Sequence, residues 1–238
     1  MKNKCCIFLF VLILSITTVC TAAEYENEIQ FRNTPWGISY TEAKELFPEY
    51  GLWPITGEHM KFYPITELYS DQYDFSNTPT YHDINIIGET TSNKIDVAGY
   101  KTTNIELFFA YTVIDGVITH EEADSRLYGA KYTFEPADAL AMIDDLKGKL
   151  SSLYGDIDEE GSDTGIVWDH KWWIWRGANQ TAVSLTFQDE KDSERDKVWI
   201  SYFTYEGDKW LYEASDGEKE RLLRLEREGA ANGGTDGL

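Results

Sequence analysis

Oxygen-bearing side chains alternate along Asp156-Ile157-Asp158-Glu159-Glu160-Gly161-Ser162-Asp163, and with the glycine that follows them they mimic the first half of a calcium loop. Asp156, Asp158, Glu160 and Asp163 are the candidate ligands. The twelfth place of such a loop needs a bidentate glutamate and here holds Val167, so an ordinary solvated loop is the favoured reading and Ca2+ the only cofactor the sequence suggests. Asp163-Thr164-Gly165 is the tripeptide of aspartic proteases. Gly161-Ser162 stands before it where an apolar strand belongs, and Ile166 follows where Ser or Ala is needed. His120-Glu121 opens like a zinc-protease motif, but the second histidine would fall at Asp124, leaving one imidazole where two must hold the metal. His59, His82 and His170 are far apart in the chain, and no catalytic residue is assigned.

Aromatic chemistry is better represented. Lys171 to Gln188 reads as a hairpin with its loop at Gly177 to Gln180, which sets Arg176 opposite Thr181, Trp175 opposite Ala182 and Trp173 opposite Ser184. Trp172, Ile174, Val183 and Leu185 then share a core face, while Trp173 and Trp175 stand beside the small residues Ala182, Ser184 and Thr186. Trp173, Trp175 and Ser184 are the candidate ligand-binding residues. Either the C-terminal segment with Trp210, Leu211 and Tyr212 folds across this face, the favoured arrangement, or the face meets a sugar ring or another protein.

The address comes from the first twenty residues. Lys2 and Lys4, an apolar run from Cys5 to Leu14, and small residues at Cys20-Thr21-Ala22-Ala23 make an export signal, with cleavage expected before Ala23 or Glu24. The apolar run is too short for a bilayer span, so no membrane span is expected after cleavage. Cys5, Cys6 and Cys20 are the only cysteines, so the exported chain of about 215 residues folds without disulfides. Thr17-Thr18-Val19 lacks the residues expected before a lipidated cysteine, which argues against anchoring through Cys20.

The formal charge of -21 becomes -23 once two lysines and no acid leave with the signal. Such a chain repels a phosphate backbone, which excludes nucleic acid as a partner.

These residues need elements to position them. A strand is expected from Ile29 to Arg32, then a helix opened by the capping box of Ser39 and Glu42 and closed by Pro48. Residues 52–93 read as a loop-rich insertion with one strand near His82 to Ile87. Ile105, Leu107, Phe109, Tyr111 and Val113 alternate along one long strand, Asp115-Gly116 turns the chain, and Arg126 to Phe134 returns. Pro136 begins a helix with Leu140, Ile143, Leu146, Leu150 and Leu153 inward and Gly155 as its cap. Lys197 to Tyr205 is apolar on both faces, as a central strand would be. Ser215 and Glu218 form a second capping box, Gly229 ends that helix, and 230–238 reads as a disordered tail. The domain organisation is therefore a signal at 1–23, one domain at 24–205, a C-terminal segment and charged helix at 206–229, and the tail. The fold class is α+β: an antiparallel sheet with two or three helices mainly on one face, and 29–47 and 126–154 read as two similar strand–helix units within it.

Phe31-Arg32-Asn33-Thr34-Pro35-Trp36-Gly37-Ile38-Ser39-Tyr40-Thr41-Glu42, with Tyr128 to Phe134 leading to Leu150-Ser151-Ser152-Leu153-Tyr154-Gly155, resembles uncharacterised secreted proteins of Firmicutes. More distantly, the Trp-Gly-x-Ser-x-x-Glu opening is similar to small envelope proteins of the beta-lactamase-inhibitor-protein or outer-membrane assembly lipoprotein type of fold. The close resemblance implies no activity, and the distant one implies binding to protein partners. The sequence thus favours an exported, non-enzymatic protein that binds a protein partner at or outside the cell envelope. The alternatives are an aromatic-platform carbohydrate-binding module and an unrecognised hydrolase.

Overall fold

The computed structural model describes residues 27–55, 84–90, 95–165, 168–190 and 196–232. The segment read as a signal, Thr56 to Asp83, Val167 and the last six residues lie outside them. The chain runs through helix α1 (Tyr40–Leu46), strands β1 (Leu52–Ile55) and β2 (Asn85–Thr90), a small hairpin of β3 (Asp96–Val97) and β4 (Tyr100–Lys101), and strand β5 (Asn104–Tyr111). A second small hairpin of β6 (Val113–Ile114) and β7 (Val117–Ile118) follows, then β8 (Ser125–Phe134), helix α2 (Ala139–Tyr154), β9 (Glu159–Thr164), β10 (Trp168–Arg176), β11 (Thr181–Glu190), β12 (Lys197–Thr204) and helix α3 (Glu206–Asn232).

Eight strands make one antiparallel sheet in the order β1-β2-β5-β8-β12-β11-β10-β9, and the fold is α+β as expected. The edges are β1 and β9. Pro54 removes a donor from one edge, and Glu159, Glu160 and Asp163 put charge on the other, both common devices against edge-to-edge pairing. β12, apolar on both faces, is central.

Helix α1 forms where its caps require. Ser39 Oγ accepts from Glu42 N at 3.2 Å, and Glu42 Oε2 accepts from Ser39 N at 2.7 Å, so two orphan donors of the first turn are satisfied reciprocally. Tyr40 and Ala43 are the buried residues of this helix. The Tyr40 ring lies over Gly88, where an added Cβ would stand 3.0 Å from it, and meets Phe109 edge-on at 5.4 Å. Helix α2 packs on β10, β11 and β12 through Ala139, Met142, Ile143, Leu146 and Leu150. Gly155, at φ 89, ends it as expected.

Several boundaries differ from expectation. Ile29 to Arg32 is no strand: Glu28 bridges Ala178 and Phe31 bridges Thr34, because Arg32 and Asn33 at φ 50 and 58 reverse the chain at once. The two strand–helix units are accordingly not equivalent. The long strand stops at Tyr111, and the Asp115-Gly116 turn belongs to the separate β6–β7 hairpin. Helix α2 starts only at Ala139 with Asp138 as its cap, so Pro136 lies before its first turn, and Leu140 and Leu153 are 65% and 72% exposed. Each sits three places from a buried residue, Ile143 and Leu150, and so about 60° round the helix from it. Helix α3 begins at Glu206, nine residues before Ser215, which is a buried interior residue rather than a cap, and it runs past Gly229 to Asn232. Among the described residues no helix is long and apolar enough to cross a membrane.

Candidate functional site

The hairpin β10–β11 is present, but its register is one residue away from the sequence expectation. Gly177 N donates to Thr181 O at 2.8 Å, so Gly177 closes the strand and the loop is only Ala178-Asn179-Gln180. Asn179 and Gln180 take positive φ of 54 and 57, while Ala178 is held by Asn27 O and bridged to Glu28. Gly177 is required by the same approach: a Cβ there would lie 2.7 Å from Ile29 Cγ1. Arg176 therefore pairs with Ala182, Trp175 with Val183, Ile174 with Ser184, Trp173 with Leu185 and Trp172 with Thr186. A one-residue slip exchanges the partners of every side chain.

Trp173 and Trp175 thus share their face with Val183 and Leu185, and Ser184 lies on the opposite one. Helix α2 covers the two tryptophans. Trp175 is fully buried, and its Nε1 donates to Gly155 O at 3.2 Å and to Ser151 Oγ at 3.3 Å. Lys147 Nζ sits 4.3 Å from the centre of the Trp173 ring. The expected cover from the C-terminal segment is elsewhere: Trp210 stacks on Arg126 at 4.8 Å, and Leu211 is buried in α3.

The acidic stretch is a loop only as far as Asp158, and from Glu159 it is an extended strand. Glu160 and Asp163 lie on the edge strand β9, three residues apart and so on opposite faces. Asp158 Oδ2 instead accepts from Arg176 N at 2.7 Å, and Glu159 pairs with the Arg176 guanidinium. Asp156 precedes this strand. An extended edge strand cannot wrap these oxygens round one ion, and among the described residues no three His, Cys, Asp or Glu side chains group as a metal site.

What the register does assemble is a polar row across the whole sheet. Pair by pair, Glu159 meets Ile174, Ile174 meets Ser184, Ser184 meets Ser201, Ser201 meets Lys131, Lys131 meets Glu106, Glu106 meets Glu89 and Glu89 meets Trp53. The next row on this face runs Gly161, Trp172, Thr186, Trp199, Thr133, Asn104. These rows grade from enclosed to open. Ser184, Thr186 and Ser201 have no solvent exposure, Lys131 and Glu106 form a half-buried 2.7 Å ion pair, and Trp53 is 62% exposed on the edge strand. Lys131 Nζ also lies 5.6 Å from the centre of the Phe108 ring. Further along the face His170 stands edge-on between Trp168 and Trp199, at 6.0 and 5.9 Å.

No family model, curated protein or solved structure matches this chain.

Sequence reasoning named Ser184 but gave it the wrong neighbours, and it passed over Trp53, Glu106, Lys131, Trp172, Trp199 and Ser201 as site residues. One signal was readable. Along β11 the set Thr181, Val183, Leu185, Phe187 alternates with Ala182, Ser184, Thr186, Gln188, an apolar face against a small polar one.

Proposed function

We propose that this chain is an exported, non-enzymatic binding protein that engages a protein partner at or outside the cell envelope. The observation that carries the reading is the open end of the polar row: Trp53, exposed at the sheet edge, beside Glu89, Glu106 and Lys131. A large exposed aromatic ringed by charge is the usual composition of an energetic centre in a protein interface. Glu89 and Glu106, on a chain carrying -21 overall, select a basic partner surface and speed its approach. The amino-terminal signal and the resemblance to secreted proteins support export.

The test has two arms. Amino-terminal sequencing of the protein recovered outside the producing cell should give Ala23 or Glu24 as its first residue, and recovery of Met1 would remove the export reading. Envelope proteins captured on the wild-type chain should be lost on Trp53→Ala and on Glu89→Lys at unchanged melting temperature. Capture that persists in both variants would place the interface elsewhere.

A further inference from the structure

We infer that the outer side of helix α2, where it runs beside the β3–β4 hairpin, is a docking groove for a basic amphipathic helix of a partner protein. Helix α2 covers the Trp173 face of the sheet and Trp53 stands on the other, so this is a second surface and not an extension of the first.

The first ground is the groove itself. Asp144, Gly148 and Ser152 follow one another at intervals of four along one row of the helix, and Asp145, Lys149 and Leu153 do so along the next. These rows, with Ala98 in the turn of the hairpin, line a groove of about 750 Å³ that is open to solvent rather than enclosed. A small molecule is held in a pocket that surrounds most of it, whereas an open trough between two such rows takes the side-chain ridge of another helix. The hairpin wall is fixed, because Lys149 Nζ donates to Ala98 O at 2.8 Å and the Tyr100 hydroxyl donates to Asp145 Oδ2 at 2.8 Å.

The second ground is Gly148. It stands in the interior of a 16-residue helix, and an added Cβ would meet nothing within 4 Å, so the packing of this chain does not call for glycine there. Glycine weakens a helix interior. The Ser152 hydroxyl is turned back onto Gly148 O at 2.7 Å, so it too stays close to the backbone. A bare stretch of this kind lets an opposing helix approach to the near end of the usual range, about 8–10 Å between axes.

The third ground is what flanks the bare stretch. Leu140, eight residues before Gly148 and on its row, is 65% exposed, and Leu153 is 72% exposed; among the described residues these are the two most exposed large apolar side chains. About 20 Å of helix separates them, the reach of three to four turns of a partner helix with apolar residues on one side. The unspent charge is negative. Lys149 is paired with Asp145 and bonded to Ala98 O, whereas Asp144 is exposed and pairs with no described residue. The occupant is therefore basic, and a second copy presenting this same helix, which carries the same carboxylate, is the poorer fit.

The experiment uses the exported chain and a labelled, capped peptide of about 14 residues with leucines along one helical face and lysines on the other, followed by fluorescence anisotropy. The peptide is expected to bind saturably. A peptide of the same composition with the leucine spacing scrambled, and one with glutamate in place of lysine, are each expected to bind at least about tenfold more weakly. Gly148→Leu, which fills the bare stretch, is expected to weaken the lysine peptide about tenfold without lowering the melting temperature, since the new side chain enters open space on a helix. No saturable binding, equal binding of the scrambled peptide, or equal affinity in Gly148→Leu overturns the inference. A lower melting temperature in Gly148→Leu also overturns it, because the glycine would then be serving the fold. Self-association in sedimentation that Gly148→Leu abolishes overturns the choice of partner in favour of a second copy. Trp53→Ala is expected to bind the peptide as the wild type does, and Gly148→Leu to keep the capture that depends on Trp53, so failure here and failure of the Trp53 surface are told apart.

Discussion

Glu218 and Arg221, one turn apart on α3, are joined by two hydrogen bonds, Nε to Oε2 at 2.7 Å and Nη2 to Oε1 at 2.6 Å, with Glu218 only 4% exposed. His120 Nε2 stands 3.4 Å from the same Oε2, held at the end of the β6–β7 region with φ 55, and its ring meets Tyr111 edge-on at 5.2 Å. Gly217 brings the helix close enough for this, since a Cβ there would lie 2.7 Å from Val113 Cγ2. The pair thus ties the middle of α3 to the small hairpin beside β5.

Breaking the pair from one side should cost more than removing both partners. Arg221→Ala leaves a carboxylate buried against His120, and a charge-assisted hydrogen bond of this kind is worth about 1.5–3 kcal/mol. The expected loss in urea unfolding is about 2 kcal/mol, at the lower side because the arginine is one-third exposed. Glu218→Gln/Arg221→Met should recover part of it. A double variant less stable than Arg221→Ala would refute this account.

The second prediction concerns the two tryptophans under α2. Trp175→Ala removes a fully buried ring and two hydrogen bonds to the helix end, so it should cost about 3–5 kcal/mol. Trp173→Ala, at a half-buried ring under Lys147, should cost about half as much. Chemical denaturation of both variants measures this. A Trp175→Ala protein within about 0.5 kcal/mol of wild type would mean that the ring is not core.

The alternation in β5, β8, β11 and β12 was legible because each strand is long enough for its period to show, and the antiparallel sheet followed from it. The capping box of Ser39 and Glu42 was legible because both partners lie within one turn. Ser215 and Glu218 carry the same spelling yet form no box, since Leu211 and Ala214 bury the preceding turns and extend the helix back to Glu206. The hairpin register was beyond local reading. It depends on Asn27 and Glu28, about 150 residues earlier, holding Ala178 in the loop. That single slip moved Ser184 from the face of Trp173 to the polar row. The row itself joins all eight strands of the sheet, and no local pattern announces such a pairing.

A third prediction follows from Gly207. At the start of α3 its absent side chain lets the helix rest on β8, and an added Cβ would lie 2.6 Å from Tyr128 Cβ, an atom fixed to the backbone. Gly207→Ala should lower stability by about 1–3 kcal/mol, despite alanine's better helix propensity. A stabilised variant, by thermal melting, would show that α3 can ride away from the sheet without loss.

The capping box gives a pH test with a definite sign. Hydrogen bonds from the Ser39 backbone N–H and hydroxyl hold the Glu42 carboxyl below its usual value of 4.5. A folded-state pKa that is depressed adds stability that is present above the unfolded value and is lost as pH falls through the folded one. The Glu42 arm therefore works at pH 7 and disappears in acid, where the carboxyl is protonated. Ser39→Ala should cost about 1 kcal/mol at pH 7, and the gap to wild type should narrow below pH 4, as read from urea midpoints. A gap that widens in acid would contradict the sign.

At the alkaline end the burial of tyrosines sets the limit. Burial pushes the hydroxyls of Tyr40, Tyr132 and Tyr202 far above their usual value of 10, and Tyr132 is raised further by Tyr50, whose hydroxyl lies 3.4 Å away. The unfolded chain ionises these groups near pH 10 while the folded chain holds their protons. Their contribution is therefore intact below pH 10 and is lost steadily as pH rises above it. Absorbance at 295 nm should show the buried tyrosines ionising in a late phase that coincides with loss of the near-ultraviolet circular dichroism signal. Tyr132→Phe should delay unfolding in alkali relative to wild type, because it removes a group whose ionisation favours the unfolded chain. If every tyrosine titrates in one phase while the dichroism signal persists, the ring cluster of Phe31, Tyr132 and Tyr202 is open to water, and the packing described for the helix-covered face is wrong.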